Sequence, residues 1–368
     1  MTASAHRDVA VVGFAQRQMR EFDGSPNCIE LLVPLLQELW EQTGWTKEDI
    51  GFWCSGSSDY LAGRSFSFVT AIDALGAVPP ISESHVEMDG AWALYEAWIK
   101  IQTGEADTAL VYGFGKSSAS TLRRTLALQL DPYTLTPLWP DTVSIAGLQA
   151  RLGIDQGLWS EKEMAEVAAR SRTSAASNEY AIRRGETTAD DVLAQELFAD
   201  PLRRWDCAPV TDGAAAIVIA ATDALPSADK VSRPAVISGI AHSVDSPSLG
   251  LRDLTRAPSA ERAGAAAGGA SGVADVTVAE LHAPFSHQEL ILRRELGLGG
   301  PEDGVQINPS GGALGGNPMF SAGLIRIGEA ARRIWSGEAD KVLAHATSGA
   351  ALQQNLVCVM EASKDKTL

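Results

Sequence analysis

Short β-branched runs alternate along the chain with segments whose apolar residues recur every three to four positions. Val9–Ala15 ("VAVVGFA") predicts a strand, Ile29–Gln42 a helix, and Glu48–Ser57 ("EDIGFWCSGS") a second strand. A glycine-containing turn then leads into an amphipathic helix over Gly90–Thr103, followed by a third strand in "GEADTALVYG", Gly104–Gly113. The same order recurs later. Ala235–Ala241 ("AVISGIA") matches the first strand, Ala274–Ala283 ("ADVTVAELHA") the second, and Gly337–Ala346 ("GEADKVLAHA") the third, at offsets of 226, 226 and 233 residues. A second amphipathic helix over Gly323–Ser336 precedes that third strand.

Three matches in the same order at nearly constant offset predict a diverged duplication, with halves at 1–225 and 226–368. Strands alternating with helices imply parallel, buried sheets. The first half carries an extra block, about Lys116 to Asp206, with no counterpart in the second. Within it, Ser160 and Glu163 form a capping box for a long helix toward Asn178, and the block is expected to cap a site. "APSAERAGAAAGGASG" (Ala257–Gly272) reads as a weak helix or loop without assigned chemistry.

Composition narrows the function. Of 368 residues, 45% are hydrophobic and 21% charged, as in a soluble globular protein. A net charge of −16 argues against nucleic acid, which needs a basic face. Cys28, Cys54, Cys207 and Cys358 stand far apart without CxxC spacing, so neither a zinc site nor a disulfide framework is expected. No signal-peptide pattern and no membrane-spanning apolar run is seen, so a cytoplasmic location is expected, with no metal and no tightly bound cofactor.

"WDCAPVTDGAAAIVIA" (Trp205–Ala220), "HAPFSHQEL" (His282–Leu290) and "INPSGGALGGNP" (Ile307–Pro318) resemble the thiolase-like lipid-transfer proteins, relatives of the sterol-carrier-protein-x thiolases. The resemblance covers nearly the whole chain. It implies an α/β thiolase fold: two duplicated βαβ-type halves forming a layered α-β-α-β-α core, with a cap inserted in the first. Thiolases use a nucleophilic cysteine at a helix N-terminus, where the dipole favours thiolate. Counted back from the shared "G..AL" at Gly90, that position is Glu87 here. "HAPF" keeps His282 but places Pro284 where the family's HDCF motif has cysteine, and the GHP histidine position is Asn317. Cys358, inside "NLVCVM", reads as a core residue. These departures argue against thiolysis through a cysteine acyl-enzyme.

The resemblance implies instead that His282 and Asn317 present two N–H donors to the oxygen of a thioester enolate. The activity it points to is retro-aldol cleavage of a β-hydroxyacyl-CoA carrying a steroid or similar bulky group. Coenzyme A then enters as part of the substrate, and a small OB-fold/zinc-ribbon protein is an expected partner. Two base candidates stand open. Glu87 lies at a helix start, where it either faces the pocket, caps the helix or pairs with His85. His345 follows the second GEAD strand as a base, an orienting group or a structural histidine. The glycines of the NPSGG loop, Gly311, Gly312, Gly315 and Gly316, and the cap arginines Arg172, Arg183 and Arg184 are candidates for binding coenzyme A. His287, Glu289 and Tyr112 are expected to be structural, and Trp92, Tyr95 and Ile99 to pack in the core. A homodimer, or a heteromer with a related thiolase-like chain, is expected. The alternative function is a non-catalytic or half-catalytic subunit completing a heteromeric acyl-CoA enzyme.

Overall fold

The computed structural model describes residues 7–20, 27–62, 64–225, 233–268, 272–299 and 301–363. The first half contributes strands β1 (Val9–Arg20), β2 (Phe52–Gly56), β3 (Glu83–Val86) and β4 (Thr108–Lys116), a small hairpin of β5 (Leu197–Ala199) and β6 (Leu202–Arg203), and β7 (Thr211–Ala221). The second contributes β8 (Ala235–Val244), β9 (Val278–Leu281), β10 (Gln306–Ile307), β11 (Lys341–Ser348) and β12 (Gln354–Ala362). The sheet order is β10-β9-β11-β12-β8-β1-β7-β4-β2-β3. Read outward from the β1/β8 seam, the two halves have the same order, and each matched sequence pair occupies equivalent strands. The proposed boundary at 225/226 adjoins residues 226–232, which lie outside the described residues.

The sheet is mixed rather than parallel throughout. β2 is parallel to β3 and β4, and β9 to β10 and β11, but β7 and β12 run antiparallel to both neighbours. These two strands enter each half-sheet beside its first strand, from the opposite end. The seam is short: Ala10 faces Val236 and Val11 faces Ala235, antiparallel.

Five layers of α and β structure follow from where the apolar side chains point. Helices α3 (Gly90–Gln102) and α11 (Ala322–Trp335) lie between the half-sheets. Leu94 and Ile101 of α3 and Leu324, Ile327 and Ile334 of α11 share one core with Val11, Val111 and Ile217 of the first half and Val278, Val342 and Leu356 of the second. Burying each such side chain contributes about 1.5–3 kcal/mol, which holds the two central helices between the half-sheets. Outside the first half-sheet, α1 (Cys28–Thr43) and α2 (Ser67–Leu75) pack Leu32, Leu35 and Leu39 against Val12, Leu110 and Val218.

Outside the second half-sheet lie α8 (Pro258–Gly268) and α9 (Ser286–Glu295), with Ala260, Ala263 and Ile291 against Leu343 and Val357. The alanine-rich stretch is thus a regular helix over most of its length, with one small-residue face buried. Its small face lets α8 approach β8 so closely that a Cβ on Gly239 would run into the Ala267 carbonyl. Residues 269–271 of that stretch are outside the described residues.

The inserted block carries α4 (Leu122–Ala127), α5 (Thr142–Asp155), α6 (Glu161–Ser174) and α7 (Ala189–Leu193). The Ser160–Glu163 capping box opens α6, and a 3-10 turn, Ala175–Ser177, ends it. The short helix α10 (Gly312–Gly315) sits in the glycine-rich loop. No helix among the described residues is long and apolar enough to cross a membrane.

Candidate active site

A cavity of about 530 Å³ opens between the inserted block and the second half-sheet. Most of its wall is apolar, with Leu122, Leu126, Ile145, Ile182, Phe285 and Leu352 among the lining residues. Its polar groups come from a few places. His282 follows directly on β9, and Asn317 follows the glycine loop; both line the cavity, as the motif reading expected.

Their chemistry differs from that expectation in one respect. His282 Nε2 lies 2.9 Å from Asn317 Oδ1, while His282 Nδ1 lies 3.4 Å from the Thr347 backbone N–H. A backbone N–H can only donate, so Nδ1 accepts and the ring proton sits on Nε2, donated to Asn317. Burial lowers the His282 pKa to about 3, which keeps the ring neutral. The histidine therefore orients the asparagine rather than offering a second free donor. Asn317 is held from behind by its own backbone N–H, which donates to Thr211 Oγ1 at 3.0 Å. Its side-chain Nδ2 group has no partner among the described residues and remains available as one donor.

Glu87 does not reach the cavity. It is exposed, and Ser58 Oγ donates to its carboxylate at 3.1 Å. The carboxylate that lines the cavity is Asp89, two residues on, and it is buried. Asp89 is the N-cap of α3: Oδ1 accepts the Ala91 N–H at 2.9 Å. It also accepts the first free N–H groups of α11, from Gly323 on Oδ2 at 2.9 Å and Leu324 on Oδ1 at 3.0 Å. Burial raises its pKa, against three backbone N–H groups and Arg326 that lower it.

His345 is likewise outside the cavity wall. Along β11, Val342, Ala344 and Ala346 face the central helices, and Leu343 and His345 face the outer layer. There the His345 Nε2–H donates to Asn355 Oδ1 at 2.9 Å, and Asn355 Nδ2 donates to Ser259 Oγ of α8 at 2.7 Å. Its carbonyl accepts the His282 backbone N–H at 3.2 Å. Its role is to fix the strand that carries Thr347. Tyr112, its counterpart in the first half, is also buried in the outer layer.

The glycine loop serves packing. Gly311 and Gly312 adopt φ of 96° and 58°, a left-handed conformation that favours glycine. A Cβ on Gly311 would meet Ala175 at 2.5 Å, and one on Gly316 would meet the Gln18 side chain. The N–H groups of Gly311, Gly312 and Gly315 are taken by Asn308 O, Ser310 Oγ and Gly311 O, and the Gly315 carbonyl accepts the N–H groups of Ile182 and Arg183. The loop docks the inserted block and delivers Asn317; its glycines do not line the cavity.

Of the three cap arginines, only Arg183 lines it. Its Nη1 donates to Cys207 O at 2.7 Å, and burial lowers its pKa to about 10, so it stays a cation. Arg172 stacks over Trp205 at 4.0 Å, and Arg184 is exposed, bonding Asn178 O at 3.0 Å. Two arginines that the sequence did not single out join Arg183 at the cavity: Arg123 and Arg204, which flank the Phe198 ring at 5.7 and 5.2 Å. Cys207 lines the cavity too, but burial pushes its thiol up to about 12, so it is neutral and unreactive as a nucleophile.

Across 99% of this chain, the backbone superimposes on a solved structure described as "Ltp2-ChsH2(DUF35) aldolase", covering all of that chain at a TM-score of 0.77 and 18% identity. The chain has the thiolase fold. In sequence it is similar to an acetyl-CoA acetyltransferase of Methanocaldococcus jannaschii, 27% identical over 352 residues, 88% of each chain. It is also 26% identical over 319 residues to sterol carrier protein 2 of Bos taurus, where the match spans 77% of this chain and 58% of that protein. No protein-family model matches the chain. The relatives thus include both an acetyltransferase and a sterol carrier protein, and the chemistry has to be argued from the cavity itself.

Proposed function

We propose that this protein is a carbon–carbon lyase that cleaves a β-hydroxyacyl-CoA by retro-aldol reaction, releasing a shortened acyl-CoA and a carbonyl product. The observation that carries the reading is the His282–Asn317 pair, set in an apolar cavity without a reactive thiol. An amide donor held rigidly by a neutral histidine suits an oxygen that gains charge as an enolate forms. In a water-excluded site such a donor contributes about 3 kcal/mol to the transition state. The apolar walls favour a bulky acyl group such as a steroid side chain. Arg183 and Arg204 give the cavity positive charge suited to the phosphates of coenzyme A, while the charge of Arg123 is paired with Asp141.

The "aldolase" and "DUF35" in the description of the similar structure support the reaction class and an accessory OB-fold/zinc-ribbon partner. Among the described residues β3 ends the first half-sheet with one edge unpaired, which suits pairing with a second copy or a related chain. A second reading, a subunit completing the site of a related thiolase-like chain, is favoured by the single free donor where two were expected.

The test is mass spectrometry of a β-hydroxyacyl-CoA bearing a steroid ring system. It is incubated with the protein alone, with the OB-fold partner, with a related thiolase-like chain, and with the His282→Ala variant. Release of a short acyl-CoA and a steroid carbonyl, reduced roughly 100-fold in His282→Ala, is expected. Turnover that appears only with the related chain would move the assignment to the second reading.

A further inference from the structure

The retro-aldol reading leaves one group unnamed, the base that removes the hydroxyl proton, and both sequence candidates for it lie outside the cavity. We infer that Asp89 is that base, a carboxylate from the first half working opposite the donor from the second. This rests on the proposed lyase reading.

Asp89 is the only carboxylate among the described residues that line the cavity. The other ionisable groups there are unsuited: three arginines are cations, Cys207 is a neutral thiol, and His282 Nδ1 already accepts an N–H. A carboxylate offers about four lone-pair positions. Asp89 spends three, two on Oδ1 and one on Oδ2, and the second position on Oδ2 has no partner among the described residues. Gly323 makes the arrangement possible, because a Cβ there would lie 2.6 Å from Asp89 Oδ1. The charged and titratable groups around it are Arg326, whose guanidinium is committed to Glu280 and Ser310, and His282 in the same cavity.

The step balances without a co-reactant. Oδ2 takes the β-hydroxyl proton, the O–H pair becomes the carbonyl π bond, and the Cα–Cβ pair moves into the thioester enolate, whose oxygen accepts from Asn317 Nδ2. The carbonyl product leaves, and the proton on Asp89 passes to Cα, giving the shortened acyl-CoA.

Two activities test it in parallel: cleavage of the β-hydroxyacyl-CoA, and exchange of the α-hydrogens of the short acyl-CoA in D₂O. The second needs only the base and the enolate donor. In Asp89→Asn, both are expected to fall by roughly 10²–10⁴ with KM little changed. For the wild type, kcat/KM is expected to fall with unit slope toward acid, through an apparent pKa above the ordinary aspartate range. That acid limb needs no variant and is measured on protein shown by circular dichroism to stay folded at each pH; a profile flat through that range overturns the assignment. Wild-type cleavage that survives in folded Asp89→Asn within about threefold overturns the base and leaves the lyase reading standing. Asp89-dependent exchange without any cleavage overturns the lyase reading and keeps the base. A wild type that does neither overturns both.

Discussion

The two central helices occupy equivalent places in the two halves, yet they begin differently. α3 carries its own cap: the Asp89 side chain accepts the Ala91 N–H. α11 does not, since the side chain of its N-cap residue, Ser321, makes no capping bond. Its first N–H groups, from Gly323 and Leu324, go to Asp89 of the other half. The positive ends of two helix dipoles therefore converge on one carboxylate. The Gly90 N–H reaches the Phe320 carbonyl at 2.8 Å and closes the same junction, and Phe320 itself holds φ at 65° in the cavity wall. The halves are related by sequence, but the site is not a repeated one. The candidate site draws on both, with Asp89 from the first half and Asn317, oriented by His282, from the second.

The largest predicted effect uses a second contrast. The second half buries His282, His287 and His345, whose pKa values burial lowers from 6.5 to about 3, 3 and 4. In the first half, His85 is only half-buried. A depressed histidine pKa means that protons bind the unfolded chain more readily. The stability these groups confer is thus complete above pH 6.5 and is lost as pH falls toward 4–3, at up to about 1.4 kcal/mol per pH unit for each histidine. The buried carboxyls Glu280 and Asp206, raised by burial, pull the other way. Hydrogen exchange followed from pH 7 to pH 5 should show β9 and β11 losing protection before β2 and β4. Equal loss in both halves would break the contrast.

Next in size is Asp89→Ala, which leaves three buried N–H groups unpaired across two helices and should cost on the order of 4 kcal/mol in chemical denaturation. Ser321→Ala, at the nominal cap of α11, should cost less than about 1 kcal/mol, because the Pro318 carbonyl it releases still accepts the Ser321 backbone N–H. Comparable costs for the two would mean that α11 is not closed by Asp89. Smaller than the Asp89 effect is Gly323→Ala, whose Cβ would meet Ala346 at 2.5 Å and Asp89 Oδ1 at 2.6 Å; a loss of roughly 1–3 kcal/mol is expected. The equivalent Gly90→Ala should cost less, since its nearest contact is the flexible end of Leu324 at 2.8 Å.

What could be read from the chain follows from how local each feature is. The duplication was legible because strand and helix periodicities repeat within each half, and β1/β8, β2/β9 and β4/β11 are the matched segments. The Ser160–Glu163 cap was legible because it is complete within four residues. His282, Asn317 and Arg183 were reached through motif or composition. Asp89 was missed although an aspartate directly before a helical glycine is a cap signal. Its second partner lies 235 residues away, which no local pattern reports. Counting within a motif makes Glu87 one of two base candidates, yet the chain leaving β3 turns it outward. His345 failed on strand parity, which assigns a face but not which layer that face meets. The glycine loop misled because glycine needed for close packing against Ala175 reads the same as glycine needed for an anion.

The central claim is carbon–carbon cleavage without thiolysis, and free coenzyme A separates the two most directly. Incubated with a β-hydroxyacyl-CoA and no added coenzyme A, the protein, alone or with the proposed OB-fold partner added, should release short acyl-CoA and carbonyl product in equal amounts. Adding free coenzyme A should leave the rate unchanged. Product that forms only from a β-ketoacyl-CoA, and only when free coenzyme A is supplied, would contradict the account and place the protein with the acetyltransferases it resembles.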